Sequence, residues 1–280
     1  MSNVDRLVEG ALDIHVHFAP DPKVARRGSA IDVAKQAREF GMAGLVLKSH
    51  EYPTHPVAYT ASQAVPDITL IGGICLDVEV GGLNPMAVEC TAMMGGRFVW
   101  MPTYSARADR QHKGLNGGIY LLDDQNRLVP EVYAILELIK SHDMVLATGH
   151  ISTQESMVLV AEARDMGIER VVVTHATTMA FWTGMTLEDM KTLASMGAYI
   201  EHCIHVMMPM THRLNPGELV DTINAIGTEH CIISTDFGQD YHPMPAEGLR
   251  MGIGTLLRAG MEEVEVGMMV KDNPSRLLGL

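Results

Sequence analysis

The sequence predicts an α/β fold, a single-domain (β/α)8 TIM barrel over residues 1–280, on three observations. Eight short apolar runs rich in β-branched residues recur along the 280 residues. Helix-like segments with recognisable start and stop signals separate them, and ionisable residues recur at the ends of the runs. Dividing 280 residues by eight units gives 35 each, a natural size for one βα unit. Near-continuous apolar strands are what a parallel sheet covered by helices requires.

In chain order the runs are ALDIHVHF (11–18), AGLVLKSH (43–50), ITLIGGICLDVE (68–79), RFVWMPT (97–103), MVLATGH (144–150), RVVVTHA (170–176), AYIEHCIH (198–205) and CIISTDFG (231–238). Between them, SAIDVAKQAREFG carries Ser29 as an N-cap and Gly41 past its end. NPMAVECTAMMGG, VPEVYAILELIKSH, STQESMVLVAEARDMG, TLEDMKTLASMG and NPGELVDTINAIG are punctuated similarly, with Pro85, Pro130 and Pro216 near first-turn positions. The longest non-periodic stretch, residues 104–127, reads as a βα insertion over the barrel mouth. A doubly wound open sheet is the competing topology, but no glycine-rich dinucleotide fingerprint follows the first run. No Ser/Gly/Pro linker divides the chain.

Composition narrows the function. With 47% hydrophobic and 20% charged residues the chain is an ordinary globular protein. A net charge of −13 argues against nucleic acid and anionic membrane surfaces as partners, both of which need clustered Lys and Arg. Cys75, Cys90, Cys203 and Cys231 form no CxxC pair and read as thiols, not a disulfide or zinc framework. The opening MSNVDRLVEGALDIHVH lacks a basic region before a long apolar stretch, so the expectation is a cytoplasmic protein. A small-molecule substrate is the expected partner, and a homo-oligomer stays open.

Alternation orients the candidate ligands. In DIHVHF, period two puts Asp13, His15 and His17 on one face, and in LVLKSH it groups Val46, Lys48 and His50. His150, His175 and Asp236 each lie near the C-terminal end of a run, where barrel active sites are built. Residues far apart in sequence thus converge as nitrogen and oxygen donors around one point, as a metal needs.

These residues resemble the amidohydrolase superfamily of metal-dependent hydrolases. The marks are the HxH of DIHVHF, one His each in ATGHIS and VTHATT, the Asp of STDFGQ and the closing KDNPSRLLGL. Two departures accompany the likeness. The run 97–103 ends in Trp100-Met101-Pro102-Thr103, where binuclear members of that superfamily place a carbamylated Lys or a Glu. No flanking β-sandwich is present either, as in the compact barrel-only branches. The resemblance implies a divalent metal, Zn2+ first with Mn2+ or Fe2+ as alternatives, as one ion or two. Its ligands come from His15, His17, His150, His175 and Asp236, with Lys48 as an unorthodox bridging carbamate if two ions bind.

The chemistry implied is attack of an activated water on a C–N or C–O bond of a small amide, cyclic amide, lactone or amino-heterocycle. Asp236 would act as general base, His175 as ligand or oxyanion partner, and Lys48 as ligand, carboxylate anchor or ion-pair partner of Asp77 or Glu79. His50, Tyr104, Arg107, His202 and His205 are candidate substrate contacts. Two alternatives stay open: a metal-dependent decarboxylase on the same scaffold, and a lyase forming a Schiff base through Lys48.

Overall fold

The computed structural model describes residues 2–280. Each of the eight apolar runs contains one strand: β1 (Leu12–Val16), β2 (Gly44–Leu47), β3 (Thr69–Cys75), β4 (Phe98–Trp100), β5 (Val145–Ala147), β6 (Val171–Val173), β7 (Tyr199–Cys203) and β8 (Cys231–Ser234). They pair in parallel and in sequence order, β1 to β8. Closure comes from the Val16–Phe237 bridge, where His17 N donates to Phe237 O at 2.8 Å and Asp236 N to His15 O at 3.0 Å. Thr235 reinforces the seam by donating its hydroxyl to Asp13 Oδ2 at 2.5 Å. A closed parallel barrel, not the open doubly wound sheet, is therefore the fold.

Helices cover the outside: α1 (Asn3–Val8), α2 (Ala30–Glu39), α3 (His55–Ala64), α4 (Pro85–Met93), α5 (Arg107–His112), α6 (Pro130–Ser141), α7 (Thr153–Asp165), α8 (Ala176–Thr183), α9 (Leu187–Ser195), α10 (Pro216–Ile226), α11 (Pro245–Arg258), α12 (Glu263–Gly267) and α13 (Asn273–Leu278). Ser29, Ser152 and Thr186 close reciprocal capping boxes with Asp32, Glu155 and Asp189, satisfying first-turn N–H groups. The helix signals in the sequence do not mark α1, α3, α8, α11, α12 or α13. The stretch 104–127, read there as non-periodic, carries the short helix α5.

Strands are apolar on both faces because both are buried. Outward side chains such as Leu45, Val99, Leu146 and Ile233 pack under the helices. Inward ones (Leu12, Ile14, Val46, Ile71, Phe98, Trp100, Val145, Val172, Ile232) fill the barrel, with Phe98 and Trp100 stacked 4.3 Å apart. Leu277 and Leu278 of α13 complete this inner cluster, and Arg97 and Arg170 both donate to the Leu278 carbonyl. The inner layer ends where polar residues begin, at the C-terminal ends of the strands.

One strand departs from simple alternation. The β1–β2 pairing shifts register between Asp13 and Val16. Leu12 and Ile14 are inward, Val16 packs outward, and His15 and His17 face the cavity. Asp13 does not share their face: its carboxylate turns to the β1–β8 seam, where it accepts from Thr235 and from the His15 N–H. A bulge of this kind re-aims side chains at a barrel rim.

Candidate metal centre

A cavity of about 230 Å3 opens at the C-terminal end of the barrel, with His15, His17, Lys48, His50, His150, His175 and Asp236 in its wall. The βα loops add Tyr104, Lys113, Trp182, His205, Gln239 and Tyr241. Two of the inner residues sit on left-handed backbone, His175 at φ 30° and Asp236 at φ 56°. Such conformations are sparsely populated for non-glycine residues and cost of order 1–3 kcal/mol each, so the surrounding hydrogen bonds must hold them. Before His150, Gly149 turns at φ 64°, and a Cβ there would lie 2.7 Å from the Pro102 carbonyl.

The donors gather in two groups. Asp236 Oδ1 lies 3.3 Å from His15 Nε2 and 3.2 Å from His17 Nε2. Across the cavity, His150 Nε2 and His175 Nε2 are 2.9 Å apart. Lys48 sits by the first group, with Nζ 3.1 Å from His15 Nε2 and 5.5 Å from the Trp100 ring centre.

Carboxylates behind the rings fix their tautomers. His15 Nδ1 faces Glu201 at 3.2 Å, His150 Nδ1 faces Asp109 at 2.9 Å, and His50 Nδ1 meets the Thr103 hydroxyl at 2.5 Å with Asp77 at 3.3 Å. Each carboxylate accepts further hydrogen bonds: Glu201 from Ser234 Oγ (2.6 Å) and His175 N (2.7 Å), Asp109 from Lys113 Nζ (2.6 Å), Asp77 from the N–H groups of Thr103 and Ser105 and from the Thr103 hydroxyl. Burial works to raise all three carboxyls, but these donors outweigh it and hold them below the usual range. An ionised carboxylate only accepts, so each ring carries its proton on Nδ1 and presents a bare Nε2.

The electrostatics favour neutral imidazoles around a charged carboxylate. Burial pushes His17 and His175 well below the ordinary imidazole range, His150 below it and His50 down to about 3. Burial would raise Asp236, but His15, His17 and His205 around it hold it well below the carboxylate range. With Nδ1 of His15 turned to Glu201, its Nε2 and Asp236 Oδ1 lie 3.3 Å apart at the cavity wall, both able to ligate one cation. Neutral imidazoles with an ionised carboxylate are the donor set that suits Zn2+, Mn2+ or Fe2+. His15, His17 and Asp236 form one of the groups of donors close enough to share an ion. The residues thus fit a divalent metal.

The remaining predicted residues divide. His50 lines the cavity between the rings of Tyr104 (4.0 Å) and His17 (5.1 Å). His205 reaches it too, with Nδ1 3.9 Å from Asp236 Oδ2. Arg107 does not: its guanidinium stacks on Tyr120 at 4.0 Å, exposed and away from the cavity. Nor does His202, which alternation on β7 turns away from the barrel interior, to Thr177 Oγ1 at 2.5 Å. Its place on the inner face belongs to Glu201. Lys48 pairs with neither Asp77, which is held by His50 and Thr103, nor Glu79, which is held by Lys23.

Sequence reasoning missed Glu201, Asp109, Trp182, Gln239 and Tyr241. Glu201 left a signal: in AYIEHCIH, an outward Ile200 makes Glu201 inward, and a carboxylate inside a barrel needs partners. Asp109 left none, because only the folding back of α5 brings it to His150.

Residues 10–201 match the model of a family described as "Family of unknown function (DUF6282)". The chain belongs to this family. No curated protein matches it. Among solved structures it is similar to an amidohydrolase from Pseudomonas aeruginosa, at 13% identity and TM-score 0.70 over 99% of this chain and 98% of that one. It is similar to the phosphotriesterase homology protein of Escherichia coli, complexed with phosphate in its active site, at 14% identity and TM-score 0.64 over 95% and 98% of the chains. A dihydroxybenzoic acid decarboxylase from a Polaromonas species, with bound manganese and an inhibitor, aligns at 12% identity and TM-score 0.61 over 97% of both. At these identities the likeness shows the fold alone, a parallel (β/α)8 barrel. Among the described residues no helix is long and apolar enough to cross a membrane.

Proposed function

We propose that this protein is a metal-dependent hydrolase that cleaves a C–N or C–O bond of a small amide, cyclic amide, lactone or amino-heterocycle, with Zn2+ as the preferred ion. The observation that carries the reading is the approach of Asp236 Oδ1 to the Nε2 atoms of both His15 and His17 within one cavity. His15, His17 and Asp236 would hold the ion, with His150 and His175 placed for a second ion or for the substrate. The ion would supply Lewis-acid polarisation of the scissile group and an acidified water.

The chain's own residues account for the rest. Asp236, ionised at neutral pH, accepts at a carboxylate oxygen the proton of the attacking water and returns it to the leaving group. His175, neutral and free at Nδ1, orients the substrate oxygen or binds a second ion. Trp182, 4.9 Å from His150 and 5.5 Å from His175, walls the site and restricts bulk water. Two aromatic residues, Tyr104 and Tyr241, complete the wall and suit a compact planar substrate.

The test is elemental analysis of protein purified without added metal or a His-rich tag, beside His15→Ala/His17→Ala and Asp236→Asn. The expected result is about one or two equivalents of a transition metal in wild type and loss in the double His variant. Product analysis then decides the reaction. A new acid from an amide or lactone supports hydrolysis, whereas CO2 release identifies the decarboxylase that one of the similar structures makes the second reading. Metal-free protein that binds no Zn2+ or Mn2+ and is trapped at Lys48 by borohydride overturns both.

A further inference from the structure

We propose that Glu201 is the shared positioning residue of the metal centre, holding a ligand from each of the two donor groups. The inference rests on the metal-hydrolase reading and adds to it a residue that touches neither substrate nor ion. Glu201 is 2% exposed and lies on β7, beside the cavity but outside its wall. One oxygen, Oε1, meets His15 Nδ1 at 3.2 Å and the Ser234 hydroxyl at 2.6 Å. The other, Oε2, accepts the backbone N–H of His175 at 2.7 Å and lies 3.3 Å from His15 Nδ1.

These contacts act on two different quantities. At His15 the carboxylate sets the tautomer: it accepts a hydrogen bond from the Nδ1–H and leaves Nε2 as the ligating nitrogen on the Asp236 side. At His175 it sets the backbone. His175 caps the start of α8 in a left-handed conformation, φ 30° and ψ 53°, which a non-glycine residue holds only when its surroundings compel it. His175 N is tied to Glu201, and that bond keeps the ring of His175 turned to His150. The other two carboxylates behind the rings, Asp77 and Asp109, each serve one imidazole. Glu201 alone of the three reaches both donor groups.

A neutral amide cannot replace it. In Glu201→Gln one oxygen becomes an NH2 donor, which meets either the His175 N–H or the His15 Nδ1–H. The Ser234 hydroxyl can turn to accept, but at either ring-positioning contact donor then faces donor.

The experiment measures Zn2+ affinity of wild type and Glu201→Gln by chelator competition at pH 7, with circular dichroism as the check on folding. Loss of a partner that orients a ligating His weakens metal binding by about 10–100-fold, and that is the expected result in a folded variant. A second measurement needs no variant: 15N NMR of the imidazoles in Zn2+-loaded wild type, where His15 is expected to carry its proton on Nδ1. A folded Glu201→Gln that binds Zn2+ as tightly as wild type, or a His15 protonated on Nε2, overturns the role of Glu201 and leaves the metal-hydrolase reading standing. Wild type that binds no metal overturns that reading itself and this inference with it.

Discussion

Replacing Lys48 by Met separates what the centre gains from what the fold tolerates. The Lys48 side chain is 1% exposed. Its polar contact is His15 Nε2 at 3.1 Å, and the Trp100 ring lies 5.5 Å from Nζ. An ammonium so placed has given up its water for one imidazole lone pair and the face of an indole, with no carboxylate paired to it among the described residues. Met has nearly the same length and shape and removes the desolvation, so Lys48→Met is expected to stabilise metal-free protein by about 1–3 kcal/mol. At about 2–4 °C per kcal/mol for a chain of this size, Tm rises by about 2–12 °C. The assay is a thermal melt of chelator-treated wild type and variant at equal concentration. The same substitution removes a donor from the reaction cavity and is expected to lower turnover of metal-loaded enzyme by about 10²–10³-fold. A melt in which Lys48→Met unfolds below wild type refutes the reasoning, since it would mean that the buried amine is well satisfied.

Three further outcomes follow from the geometry. In metal-free protein, stability should fall as pH drops below about 6.5: unfolded imidazoles then take up protons that native His17, His50, His150 and His175, all held lower by burial, refuse. Asp13, pushed up to about 7, acts in the opposite sense between about pH 4 and 7, and the four imidazoles outweigh it; urea midpoints at pH 5 and 7 check the sign. Asp109→Asn frees His150 Nδ1 and Lys113 and should weaken binding of a second ion at His150 and His175 by about 10–100-fold without unfolding the barrel, as read by chelator competition and circular dichroism. Leu278→Ala should cost about 2–5 kcal/mol in denaturant melts while leaving metal affinity unchanged, because its side chain lies in the inner core and not at the mouth.

The fold was legible because its signals are local or periodic. Each strand falls inside an apolar run, and Ser29, Ser152 and Thr186 cap the helices that their positions announce. The HxH pair, the two later histidines and Asp236 were legible as strand-end polar residues, and the structure brings all five to one cavity. What stayed hidden depends on phase and on tertiary folding. Alternation alone placed Asp13 with His15, but the register shift in β1 turns it to the seam. On β7, two adjacent polar residues compete for the inner face, and Glu201 holds it where His202 was expected. Arg107 was read as a cavity residue from charge in a loop, yet α5 turns it onto Tyr120 and presents Asp109 and Lys113 instead.

Leu277 and Leu278 bear on the order in which this chain can finish folding. They fill the space inside the barrel beside Leu12 and Ile14 of β1, and Arg97 and Arg170 grip the carbonyl of Leu278. The first strand and residues more than 260 positions later therefore share one packed layer. On a ribosome, every strand can emerge and pair while that layer still has a hole at its base. The nascent barrel stays open to water at one end until residue 278 has left the exit tunnel, and a chaperone that shields apolar surface has its target there until then.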